Sequence, residues 1–256
     1  MFENALHVEH RVWLPSHLID SWRRIAVTVF LMLGHGVIFG LIYGLTHHSG
    51  DFFTALLNDK ALARNAVFES SLLGLFFLVL HQRKWTAANF RVRIGWSATM
   101  ESIGLLGLTY GSLLGFTLPL VLLDFSLLHS SLHPWIHSLL PHTIPLIRGK
   151  VHLSWAVIII GTVLNAFYEE LVYMGYFFNQ CAAKRGPWMA VAATILLRLA
   201  VHTYQGTEHI LQIGIWSVVF GFWYRWSGKV WPLILAHAMI DLISLGALKV
   251  LFGGAA

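Results

Sequence analysis

Seven stretches of this chain are long, apolar and almost free of formal charge. They cover residues 25–45, 66–80, 103–123, 153–183, 186–204, 210–224 and 230–248. The first holds 21 residues without Asp, Glu, Lys or Arg, and about 20 such residues span a hydrocarbon core as a helix. The pattern predicts an all-α, polytopic integral membrane bundle of about seven transmembrane helices. The first of them serves as an uncleaved anchor. An apolar region at 125–147, broken by Pro134, Pro141 and Pro145, is expected to be an interfacial or re-entrant helix, or an eighth span. The expected layout is a cytoplasmic segment at 1–24, a first group of membrane helices at 25–150, and a core at 151–250.

Composition agrees with that picture. Of 256 residues 57% are apolar and only 11% are charged, against about 25% charged in an ordinary soluble domain. A soluble enzyme and a disordered chain are both excluded. The net charge is +5; in such a chain excess Lys and Arg set orientation in the bilayer and do not indicate nucleic-acid binding. Eleven of the 17 basic residues fall on one side of the seven-span layout, in the N-terminal segment and in the loops at 83–93, 184–185 and 225–229. Five fall on the other side, and Arg198 lies within a span. This bias predicts a cytoplasmic N-terminus, and a bacterial cytoplasmic membrane is the expected location. The single cysteine, Cys181, excludes an internal disulfide and a Cys-based metal site.

Two rows of glycine recur every four residues, Gly36, Gly40, Gly44 and Gly107, Gly111, Gly115. Each row lies on one helix face, and both are expected to be packing seams. His129, His133 and His137 form a similar i, i+4, i+8 ladder in the proline-broken region, suited to an interfacial helix.

Ionisable residues inside membrane spans are costly and usually functional. Here they are Glu169 and Glu170, Arg198 and His202, His237 and Asp241, and Glu69. At ~1.5 Å per helical residue, those of the last three groups of helices lie roughly 12–22 Å from the same membrane face, so a shared mid-membrane cluster is allowed. Arg198 and His202 share a helix face, as do His237 and Asp241. Glu169 and Glu170 point about 100° apart and must have different partners. Glu69 is expected near a helix end, in a structural pair. Carboxylates and imidazoles in a low-dielectric cavity can activate water and stabilise an oxyanion. The same parts also suit a proton path or a buried ion-pair network.

The pattern of these residues resembles the CPBP family, which groups CAAX prenyl endopeptidases with bacteriocin-processing and immunity proteins. Its motifs are EExxxR, FxxxH and HxxxN or HxxxD on three successive helices. Here the first reads Glu169-Glu170 with Met174 at the arginine position. The second reads Arg198 at the phenylalanine position with His202, and the third is complete at His237 and Asp241. The resemblance implies proteolysis within the membrane, on peptide or membrane-protein substrates. Glu169 would activate water, His202 would help to hold it, and His237 and Asp241 would bind the oxyanion. No cofactor is required by that mechanism, although two His and the carboxylates offer donors that zinc accepts. Glu170 would pair with the motif arginine, and Arg198 is expected to replace that missing charge. The alternatives are a catalytically silent member acting as a scaffold or immunity protein, and a proton-coupled transporter.

Overall fold

The computed structural model describes residues 14–46, 57–126, 152–205 and 207–252. The helices are α1 (Trp22–Thr46), α2 (Asp59–Gln82), α3 (Trp96–Ser126), α4 (Trp155–Glu170), α5 (Asn179–Arg185), α6 (Pro187–Val201), α7 (Thr207–Ser227) and α8 (Trp231–Phe252). A π-helix, Leu171–Phe178, joins α4 to α5 without a break, so 155–185 is one rod. No strand forms among the described residues. The His129, His133, His137 ladder lies outside them.

All seven apolar stretches fold as helices. Five helical segments are long and apolar enough to cross a membrane: Trp22–Ile42, Asp59–Gln82, Trp96–Ser126, Trp155–Arg185 and Trp231–Phe252. Pro187–Val201 has only 15 residues, so the described residues support five spans by length and composition. The outer surface of the bundle is apolar. Phe30, Ile42, Leu78, Leu114, Leu122 and Leu196 are all exposed, as expected where lipid is the solvent.

The core lies around the central rod. Leu171, Val172, Tyr173, Met174 and Tyr176 are buried to within 1% of complete, and Met32, Phe76, Leu105, Phe220 and Leu233 pack on them. One end of the rod is fixed by a polar clamp. Arg83 Nη1 donates to Asp20 Oδ2 and Thr28 Oγ1, both at 2.9 Å. Tyr176 Oη donates to Asp20 Oδ2 at 2.9 Å, and the Asp20 amide donates to Gln180 Oε1 at 2.8 Å. At the opposite end the Asp59 amide donates to the His152 carbonyl at 3.0 Å. The Ser154 amide donates to Asp59 Oδ1 at 2.7 Å, and Lys249 reaches the Leu153 carbonyl. Arg24 and Arg83, both beside Asp20, thus share an end with α5.

Two sharp turns bring α6 and α8 back into the bundle, at Gly186 (φ 85°) and Gly228 (φ 61°). Glycine adopts this left-handed backbone without steric cost.

The two glycine rows behave differently. A Cβ on Gly36 would meet Val201 Cγ1 at 2.9 Å, and one on Gly40 would meet Thr203 Oγ1 at 2.6 Å and the Val201 carbonyl at 3.1 Å. That row is a seam against the end of α6. At Gly107, Gly111 and Gly115 a Cβ would have no described neighbour within 4 Å. They lie on the exposed face of α3, which corrects the expectation of a second seam within the bundle. Spacing alone defines a helix face but not what that face meets.

Candidate active site

Glu169 and Glu170 are the last residues of α4, immediately before the π-helix. An i→i+5 segment inside a helix frequently marks a functional site, because it resets which side chains share a face. The two carboxylates diverge as their spacing predicts. Glu170 is fully buried and turns away from the cavity described below. Its Oε1 accepts from Arg198 Nη2 at 2.7 Å and from His237 Nδ1 at 2.8 Å. Glu169 turns the other way and meets His202, with Oε1 and Nε2 3.7 Å apart.

Arg198 is completely buried, one turn before the end of α6. Removing two charges from water costs several kcal/mol per ion, which close pairing offsets. Three aromatic rings add to the pairing. The guanidinium carbon lies 4.5 Å from the Tyr173 ring centroid, 5.0 Å from Trp216 and 5.8 Å from Phe220. Such contacts contribute about 2 kcal/mol or more when desolvated. Met174, at the motif arginine position, is buried in the core.

His202 caps the end of α6, where the chain leaves helical geometry (φ −98°, ψ 7°). Its Nδ1 lies 2.8 Å from the Arg198 carbonyl. A carbonyl only accepts, so Nδ1 carries the hydrogen, and the lone pair of a neutral His202 is on Nε2, facing Glu169. Tyr204 stacks on this ring, with centroids 6.1 Å apart and planes at 22°.

His237 bridges two acids. Nδ1 meets Glu170, and Nε2 lies 3.4 Å from Asp241 Oδ2. The Trp216 ring stands edge-on to it at 4.6 Å between centroids. Asp241 Oδ2 also accepts from Asn165 Nδ2 at 3.1 Å. Asp241 Oδ2 thus lies between the Asn165 amide and the His237 ring.

A cavity of about 730 Å³ opens in front of this group. Its walls include Glu169, His202, His237 and Asp241, so the structure brings these predicted residues together, with Asn165 beside them, while Glu170 and Arg198 lie behind them. Glu69 also lines it, which corrects its expected place at a helix end. Asn58 caps α2 by accepting from the Ala61 amide at 2.9 Å. The helix thus starts seven residues before the apolar stretch, and Glu69 falls well inside it, buried. Asn165, Tyr204 and Trp216 were not singled out by the sequence. Only the i, i+4 relation of Asn165 to Glu169 could have pointed to one of them.

No three His, Cys, Asp or Glu side chains among the described residues are grouped to hold a metal ion. His202 and His237 each already commit Nδ1 to another group.

Residues 151–243 match the family model for Rce1-like proteins, described as type II CAAX prenyl endopeptidase Rce1-like. The matched stretch is a little over a third of the chain and carries the positions of all three motifs, so this part of the chain is similar to that family. No curated protein and no solved structure gave a match.

Proposed function

We propose that this protein is an intramembrane endopeptidase in which Glu169 activates the attacking water. The observation that carries the proposal is the facing pair Glu169 Oε1 and His202 Nε2, 3.7 Å apart at the cavity wall. That separation is too long for a direct hydrogen bond but suits a water donating one hydrogen to each. The water's lone pair then points to the substrate carbonyl carbon. As the new C–O bond forms, Glu169 takes the water's proton and the carbonyl electrons move onto its oxygen. His237 stands ready for that oxyanion. Its Nδ1 already donates to Glu170, so donation from Nε2 uses the imidazolium form, which Glu170 and Asp241 flank. Collapse breaks the C–N bond, and the proton on Glu169 passes to the leaving amine.

Arg198 supports an active enzyme over a silent one, because it supplies Glu170 with the cation that Met174 cannot. The test is incubation of the purified full chain with a library of membrane-segment peptides beside Glu169→Gln. Cleavage by the parent that Glu169→Gln abolishes supports the proposal. Equal cleavage by both rejects it.

A further inference from the structure

Glu69 is the one cavity carboxylate that the mechanism above does not use. It sits on α2, across from the motif helices, and is only 7% exposed. Its Oε1 accepts from Asn65 Nδ2 at 2.7 Å. Its Oε2 is buried and has no hydrogen-bond partner among the described residues. An uncompensated acid within a membrane bundle is costly, and such residues generally mark a binding or transfer path.

The charges around it lean negative, even with His237 as an imidazolium. The cavity wall holds three carboxylates, Glu69, Glu169 and Asp241, and among the described lining residues the only Lys or Arg is Arg64. Arg64 lies more than one helical turn nearer the start of α2 and is exposed. Arg198 does not relieve the imbalance, since it is behind the wall and bound to Glu170. Glu69 lies within electrostatic reach of Glu169, Asp241 and His237, so the three acids belong to one site. A low-dielectric cavity with this excess attracts a cation, and an unpaired carboxylate oxygen is a ready acceptor for a charge-assisted hydrogen bond.

From this we infer that Glu69 is a specificity residue that binds a basic side chain, Lys or Arg, of an otherwise apolar peptide held across the cavity. The inference rests on the endopeptidase reading for the fate of that peptide, but binding can be measured apart from cleavage. An apolar segment carrying one basic residue satisfies both features of the wall, since Leu33, Phe39, Ile213, Ile240 and Leu248 provide the rest of it.

The probes are synthetic ten-residue peptides of Leu, Ala and Val with one Lys, scanned through the positions, and counterparts with norleucine or Glu in its place. Affinity is measured by fluorescence polarisation on the full-length Glu169→Gln protein in lipid nanodiscs, where cleavage does not interfere. For at least one Lys position, the Lys peptide should bind about tenfold more tightly than its norleucine counterpart, the gain expected of one charge-assisted hydrogen bond. Adding Glu69→Gln should close that gap, and Glu69→Lys should turn the preference toward the Glu peptide. Equal affinity for Lys and norleucine peptides at every position overturns the proposal without relying on any change at Glu69. A Lys preference that survives Glu69→Gln also overturns it. Hydrolysis of the same peptides by the parent, compared with Glu169→Gln, reports separately on the endopeptidase reading: absent or unaltered cleavage rejects that reading, while the binding difference still decides the role of Glu69.

Discussion

Arg198 Nη2 lies 2.7 Å from Glu170 Oε1, with both side chains fully removed from solvent. The cation comes from α6 and not from the rod that carries the acid. Breaking a buried pair from one side typically costs ~3–5 kcal/mol. Arg198→Leu should therefore lower the thermal midpoint in detergent markedly and eliminate cleavage. Met174→Arg combined with Arg198→Phe returns the charge to the rod and should recover much of both. An Arg198→Leu protein as stable and active as the parent rejects the compensating role.

Glu169→Gln keeps the shape of the side chain and removes its basicity. Cleavage should fall by at least the ~10²–10⁴-fold typical of a general base, while circular dichroism shows the same helix content. His202→Ala should be similarly damaging to turnover, because the water loses one of its two acceptors.

Asp241 and Asn165 test how His237 is held. Asn165 Nδ2 donates to Asp241 Oδ2 at 3.1 Å. Asp241→Asn keeps an oxygen acceptor for the His237 ring and should retain activity within about tenfold, as expected for loss of charge on one hydrogen bond. Asp241→Leu has no acceptor and should reduce kcat much further with little change in KM. Equal rates for the two variants would remove the orienting role.

Gly40 and Gly111 form a contrasting pair. A methyl at Gly40 would press on Thr203 Oγ1 and the Val201 carbonyl, on either side of His202. Gly40→Leu should depress the thermal midpoint and activity together. Gly111 meets nothing described, so Gly111→Leu should leave the thermal midpoint unchanged or slightly raised, given the ~1 kcal/mol helix penalty of glycine.

The uneven distribution of Lys and Arg predicts that the 83–93 loop and the end of α8 face opposite sides of the membrane. Single cysteines at Lys84 and Lys249 should react with an impermeant maleimide from opposite faces of oriented vesicles. Cys181 is buried and provides little background. Reaction of both sites from the same face defeats the layout.

The helical class was legible because apolar runs of span length have few alternative folds. The meeting of Glu169, His202, His237 and Asp241 was legible from four-residue spacings and from depth along each helix. Glu69 was misread because hydropathy places the start of α2 at the first apolar residue. The helix begins earlier, where Asn58 and Asp59 satisfy free amides at its end and at the start of α4. Tyr173, Trp216 and Phe220 escaped notice because an aromatic residue in a membrane segment looks the same in sequence whether it meets lipid or a guanidinium. The second glycine row was misread for a related reason, since periodicity carries no information about the neighbour.

The π-helix at Leu171–Phe178 divides one rod into two angular settings. Ahead of it the rod must aim Glu169 and Glu170 at α6 and α8; beyond it Tyr176 and Gln180 must face Asp20 and the N-terminal segment. Removing one residue from this stretch would rotate the far half by about 100° relative to the near half, so both sets of partners could not be met at once. The spare residue acts as a phase adjuster: it lets the clamp and the carboxylates evolve on a common helix without sharing a common register.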